Sequence, residues 1–391
     1  MLTSIAMILL VGLAAGWAFS KLGLPSLMGM IFTGIIMSPY ALNLIDDSIL
    51  MISDDLRRIA LVIILTRAGL TLDIGDLKKV GRPAVLMCFV PACAEMLGII
   101  LFAPMLLGVS LLDAAIIGSV VAAVSPAVIV PRMIRLIDEG YGTQKGIPQL
   151  ILAGASVDDV FVIVIFTALT TLASTGTASW TSALKIPISI GMGILVGIAV
   201  GKALVAFFRR NHMRDSVKIL ILLSVSFLLL ELENRVDEIV PMSGLLAIMT
   251  VGIVVKKQYG VLADRLSARY NKLWVAAELF LFVLVGATVD LKYAVAAGVS
   301  AVLLIVAGLA FRMVGVSAAL LKTNLTRKER MFCMTAYTPK ATVQAAIGAI
   351  PLTMGLPCGQ IVLTVAVLSI LITAPFGAVC IDRCYCKWLS R

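Results

Sequence analysis

Long apolar stretches separated by short polar segments run from one end of this chain to the other. Hydropathy divides them into thirteen candidate spans, near residues 2–20, 24–38, 57–72, 83–107, 111–134, 149–172, 185–207, 217–231, 241–255, 273–289, 294–320, 328–350 and 359–380. A helix needs about 20 apolar residues to cross a bilayer. Composition agrees with that reading: 61% of the 391 residues are hydrophobic, only 14% are charged, and mean hydropathy is +1.08. A soluble domain carries about 25% charged residues. The pattern predicts an all-α polytopic protein of the cytoplasmic membrane, one membrane domain over 1–391 with about thirteen transmembrane helices in contact with lipid. Met1 to Phe19 lacks a basic leading region and a small-residue cleavage pattern, so it is expected to remain as the first span.

Charge follows the loops. Most of the 32 basic residues fall in alternate loops, among them Lys78 and Lys79, Arg132 and Arg135, Arg209 to Lys218, Lys256 to Lys272, and Lys322 to Arg330. The opposite loops are acidic at Asp46, Asp47, Asp54 and Asp55, and at Glu231, Glu233, Asp237 and Glu238. Positively charged loops stay in the cytoplasm, which puts the N-terminus outside and the C-terminus inside. An even number of spans would break the alternation. The net charge of +10 is therefore a membrane signature, and no nucleic-acid partner is expected. The seven cysteines form no paired framework, and Cys384 and Cys386 make a lone CxC too short to specify a metal site. The single histidine, His212, lies in a basic loop.

The chain also repeats itself. Pro25 to Gly34 resembles Pro241 to Gly252, and Ala68-Gly69-Leu70-Thr71-Leu72-Asp73 matches Val285-Gly286-Ala287-Thr288-Val289-Asp290 at an offset of 217. Glu95 stands 217 residues before Arg312, and Ser125-Pro126 stands 213 before Thr338-Pro339. The second span thus maps onto the ninth. A shift of seven helices is odd, so the second copy enters the membrane the other way up, giving inverted repeats over about 24–175 and 241–380. Secondary transporters are built this way, with the substrate site at the repeat interface.

Matching prolines locate that interface. Ala123 to Pro131, with Pro126 and Pro131, lies within one span, and Tyr337-Thr338-Pro339-Lys340-Ala341-Thr342-Val343-Gln344 lies within another. Proline removes a backbone donor and frees a carbonyl one turn earlier, so both helices are expected to break at mid-membrane and cross. Lys340, next to a mid-membrane proline, needs a partner. Glu95 and Arg312, equivalent under the repeat, are expected to pair, because an unpaired buried guanidinium is prohibitive and suits a planar carboxylate. Gly191, Gly193, Gly197 and Gly201 favour close helix packing, with a contact between subunits as one way to use it.

The strongest signal is Asp158-Asp159 in an otherwise apolar span. A carboxylate there costs about 2.5–3.5 kcal/mol on insertion scales. Neighbouring helix positions point about 100° apart, so the two face different neighbours. Two such groups in a low-dielectric cavity cannot both stay ionised without a counter-ion, so a proton and a cation compete for the same oxygens. A cation or proton site at mid-membrane follows; the resemblance described below makes exchange of Na+ or Li+ for H+ the leading expectation, with Asp158 and Asp159 as the Na+ ligands and no cofactor beyond the transported ions. K+ in place of Na+ stays open, since selectivity depends on cavity size. A sodium-coupled organic-anion symporter of the same fold would not require adjacent aspartates. A membrane-embedded enzyme would need a His or Cys constellation, and none stands out.

Ala123 to Pro131, Gly140 to Pro148, Gly154 to Asp159, Pro339 to Gly348 and Leu363 to Pro375 together resemble the sodium/proton antiporters of the cation:proton antiporter superfamily. The similarity is to the two-aspartate family, near the branch that holds animal sodium/hydrogen antiporters. It implies a thirteen-helix fold with two crossed broken helices. A core over about 57–175 and 273–380 would rock against dimerisation helices over about 1–38 and 185–255, in a homodimer serving pH homeostasis. Carried over residue by residue, Ser125 and Thr338 would sit at the crossing beside Asp158 and Asp159, with Glu95 and Arg312 as an ion pair. Thr288 departs from the acidic residue of the animal relatives, which leaves Lys340 without its partner there unless Asp290 replaces it. Some relatives place a lysine at the position of Arg312. Arginine keeps its proton throughout, so the expected stoichiometry is one proton per cation, an electroneutral exchange.

Overall fold

Backbone amides in lipid must be satisfied within the segment, and the spans that the apolar pattern marks are largely helical among the described residues. The computed structural model describes residues 1–72, 81–174, 180–236 and 242–391. Asp73, Lys78 and Lys79, Asp237 and Glu238, and Pro241 lie outside the described residues, as do the side chains of Lys185 and Lys292. In chain order the helices are α1 (Leu2–Lys21), α2 (Ser26–Met37), α3 (Asp47–Met51), α4 (Ser53–Thr71), α5 (Arg82–Met87), α6 (Val90–Leu107), α7 (Leu111–Val121), α8 (Pro126–Glu139) and α9 (Ile147–Ser174). They continue as α10 (Trp180–Arg210), α11 (Asp215–Val236), α12 (Gly244–Gln258), α13 (Gly260–Ala287), α14 (Leu291–Ala319), α15 (Arg327–Ala336), α16 (Thr342–Ile347), α17 (Ile350–Thr353) and α18 (Gly359–Trp388). Among the described residues, eight helical segments are long and apolar enough to cross a membrane, and shorter apolar helices include Ser26–Met37 and Thr342–Thr353.

Local signals fix the ends. Ser110 caps α7 by accepting the Asp113 amide at 3.1 Å. Thr326 and Glu329 close a capping box on α15, and Glu329 also takes Lys145 Nζ at 2.8 Å, tying that start to the loop before α9. Gly140 ends α8 in the left-handed region, where a side chain would be strained.

The chain divides into two compact units. One comprises Met1–Asp54, Gly75–Val162 and Leu279–Arg391; the other comprises Asp55–Ile74 and Ile163–Glu278. In the first, α6 lies along α14, and α18 packs on α7, α8, α14 and α15. Met87, Val124, Ile129, Ile151, Phe332 and Tyr337 form part of its buried apolar core. In the second, α10 lies along α12. Gly193, Gly197 and Gly201 face Ser243, Ala247 and Val254 there, at distances that leave no room for a Cβ. These glycines pack against helix within the chain, and Gly191 faces open space.

Positions one repeat apart make the same contacts. Gly34 and Gly286 abut in the first unit, and their repeat-related counterparts Gly252 and Gly69 abut in the second. Likewise Gly98 faces the ring of Phe311, while Gly315, 217 residues on from Gly98, faces Ala94, 217 residues before Phe311. Small residues let these backbones approach where lipid supplies no hydrophobic drive.

Candidate functional site

Two interruptions in helix organise the first unit. Helix α7 ends at Val121 and α8 begins at Pro126; α15 ends at Ala336 and α16 begins at Thr342. Each frees backbone groups that the interior must satisfy by other means. The breaks meet: the Ser125 amide donates to the Pro339 carbonyl at 2.8 Å. Gln344 spans them, its Nε2 donating to the Ala123 carbonyl at 2.7 Å and the Val121 carbonyl at 3.3 Å while its Oε1 accepts from the Ala341 amide at 2.8 Å. The Lys340 amide is held by Thr373 Oγ1 at 2.9 Å.

Arg312 sits at the centre, with no solvent exposure. Its Nε donates to the Tyr337 carbonyl at 2.7 Å and its Nη1 to the Ala122 carbonyl, one acceptor from each break. Nη1 also meets Glu95 Oε2 at 2.7 Å, and Nη2 meets Asp158 Oδ2 at 3.0 Å. Lys340 Nζ donates to the same Glu95 oxygen at 2.6 Å. Glu95, Asp158, Arg312 and Lys340 are all fully buried. Counted as ionised, two carboxylates and two cations cancel.

Asp158 Oδ2 takes one more donor, the Val124 amide at 2.8 Å, a group released by the first break. Asp158 Oδ1, Asp159 Oδ1 and Ser125 Oγ are buried oxygens without a hydrogen-bond partner among the described residues. Asp159 is 9% exposed, against 0% for Asp158, so of the two it is the one that reaches solvent. The neighbours on α9 therefore differ in kind. Asp158 belongs to the balanced cluster, and Asp159 adds a carboxylate that makes no ion pair among the described residues.

The structure thus gathers Asp158, Glu95, Arg312, Lys340, Gln344, Pro126 and Pro339 around one crossing, with Asp159 next along α9. Two expectations change, those for Pro131 and for the partner of Lys340. Pro131 does not break its helix; it is the sixth residue of α8, past the first turn, and its missing amide removes only the one regular helical donor to the Ala127 carbonyl. The Thr338 hydroxyl donates to the Thr335 carbonyl at 2.9 Å, and Ser125 enters the crossing through its backbone. Lys340 finds a partner in Glu95, which the sequence did not pair with it. Sequence reasoning missed the backbone members, Val124, Ala122 and Tyr337, and the Thr373 hydroxyl. Their only signal was proximity to the prolines. Gly154, four residues before Asp158, leaves the space that the Tyr337 side chain fills.

Hard oxygen atoms without protein donors, beside cations that already hold their own carboxylates, can take a proton or a small hard cation. Comparison with known proteins bears on which. A family model described as sodium/hydrogen exchanger, transmembrane, matches residues 5–382. Sodium/hydrogen exchanger 9B2 of Mus musculus is 33% identical over 378 residues, 92% of this chain and 67% of the relative. Sodium/hydrogen exchanger 9B1 of Homo sapiens is 30% identical over 355 residues, 87% of this chain and 67% of the relative. Among solved structures, the sodium proton antiporter MjNhaP1 from Methanocaldococcus jannaschii at pH 8 superposes with a TM-score of 0.84 over 99% of this chain and 98% of its own, at 20% identity.

Proposed function

The chain belongs to the sodium/hydrogen exchanger family and is a multi-pass membrane protein, and on that premise we propose that it exchanges Na+ or Li+ for H+ by alternating access at Asp158 and Asp159, one proton per cation. Its relatives are named as exchangers, which are transporters rather than enzymes. The observation that carries the finer reading is the contrast between the balanced cluster and the Asp159 carboxylate with its partnerless Oδ1. A lone carboxylate in low dielectric needs one positive charge, and either a proton or a monovalent cation meets that need. Whichever enters displaces the other. Each exchange moves one charge in and one out, because Arg312 keeps its proton and the cluster keeps its balance.

In this reading Asp158 Oδ1, Ser125 Oγ, the Thr338 oxygens and carbonyls of the two breaks complete an oxygen cage for the cation. The chain crosses the membrane thirteen times, N-terminus outside and C-terminus inside, as inverted repeats over about 24–175 and 241–380. The equivalent contacts of Gly34 with Gly286 and of Gly252 with Gly69 support the repeat. A core over about 57–175 and 273–380 moves against scaffold helices over about 1–38 and 185–255, which also form a homodimer.

The test is proton flux in liposomes holding purified protein, driven by Na+, Li+ or K+ gradients, with and without an imposed membrane potential. Na+ and Li+ should drive flux at a rate indifferent to the potential. Apparent Na+ affinity should weaken as pH falls, because protons then occupy the carboxylate more of the time. A rate that follows the potential defeats the one-to-one count; K+ as the better substrate replaces the ion; absence of flux with all three removes the reading.

A further inference from the structure

Away from the site, the second unit holds a group of cations that ion exchange leaves unused. The end of α10, the turn after it, the start of α11 and the start of α13 surround a cavity of about 600 Å³. Arg209, Arg214, Lys218, Arg265 and Arg269 line it, against the single carboxylate of Asp215. That carboxylate is shared, taking Arg265 Nη2 at 3.3 Å and Arg269 Nε at 3.7 Å. Arg269 Nη1 also holds Ser216 Oγ at 3.1 Å, and Arg209 is spent on the Gln258 carbonyl at 2.6 Å.

Lys218 is the informative member. It is 5% exposed, yet among the described residues its ammonium has the ring of Phe208, 5.8 Å from the centroid, and no carboxylate. A cation–π contact offsets only part of the repulsion that neighbouring guanidinium groups impose on an ammonium. A lysine lining a cavity with four guanidinium groups around it calls for a multivalent anion. Arginine forks match phosphate oxygens two at a time, and lysine adds a point charge. A carboxylate ligand would offer too little charge for a cavity with a net excess of four.

We propose that this cavity binds a phosphate-bearing anion, supplied either by a free polyphosphate or by a phospholipid headgroup. In the orientation proposed above it opens to the cytoplasm at the level of the headgroups, where both occur. Binding lessens the repulsion among the five cations and so stabilises this corner of the fold. It makes no use of the exchange reading, and its test needs no transport.

The full-length protein in detergent is titrated with inorganic pyrophosphate against potassium chloride of matched ionic strength, following thermal unfolding. In a second arm it is titrated with phosphatidylcholine micelles with and without a minor fraction of phosphatidylinositol phosphate. Saturable stabilisation by pyrophosphate identifies a free anion, and stabilisation by the phosphorylated lipid alone identifies a headgroup. In either case Arg214→Gln, at an exposed position, and Lys218→Met should each weaken the apparent affinity by about tenfold, the loss of one charge-assisted contact. Lys257→Gln, an exposed cation outside the cavity, should leave it unchanged. Stabilisation by neither probe, or equal weakening by Lys257→Gln, overturns the proposal.

Discussion

The two halves of the candidate site are built on matching helix breaks but carry opposite chemistry. The first half, up to Ser174, contributes Glu95, Asp158 and Asp159, and its break, Ala122 to Ser125, is uncharged and works through the Val124 amide and the Ala122 and Ala123 carbonyls. The second half contributes Arg312 and Lys340, and its break carries the ammonium itself. Backbone symmetry is kept while charge symmetry is discarded. The difference teaches that neither half can balance its own charge. The acidic half would repel itself in lipid and the basic half would bind no cation; the balance that leaves one carboxylate free arises only when both are in place.

Substitutions on either side should break that comparison in order of size. Asp159→Asn removes the one carboxylate outside the balance and should reduce Na+-driven proton flux to the background of empty liposomes, with the protein still folded by size-exclusion profile. Near-normal flux would remove Asp159 from the mechanism. Arg312→Gln leaves Glu95 and Asp158 with one cation between them. Losing one partner of a buried pair costs about 3–5 kcal/mol, so the variant should unfold at markedly lower denaturant, and unchanged stability would show that the cluster is not held by charge. Gln344→Ala deprives the Ala123 carbonyl and the Ala341 amide of partners in a buried setting. The expected loss is about 1–3 kcal/mol, read as a lower melting temperature, with slower exchange because the breaks are no longer tied. Pro131→Ala is the smallest: within about 1 kcal/mol of the parent in either direction, with exchange retained. A large loss there would restore Pro131 as a break residue.

The sequence made the apolar spans, the two prolines that open α8 and follow α15, and the unusual aspartates legible, because each departs from what lipid tolerates. It also exposed the Glu95–Arg312 relation through the offset of 217. It did not show that Lys340 would share the same Glu95 oxygen, since the two residues lie far apart in the chain and belong to different repeats. Nor did it distinguish Pro126 from Pro131: both interrupt a helical pattern, and only the position of the helix start decides which one sits in a first turn. The glycines of α10 read equally well as an inner or an outer surface, because small residues serve close packing in both. Backbone donors such as Val124 carry no side-chain signature at all.

Arg312 has a consequence for how the protein is made. A carboxylate can enter the bilayer protonated and neutral, but a guanidinium cannot shed its charge. Synthesis from the N-terminus delivers Glu95 and Asp158 first, and Arg312 follows 154 residues after Asp158, on the order of ten seconds at about 5–20 residues per second. The permanent cation therefore arrives at a membrane already stocked with its acceptors. A circularly permuted chain that begins with the second repeat would reverse that order, and it should accumulate less in the membrane and be degraded faster than the parent; equal accumulation would show that the order of arrival is immaterial.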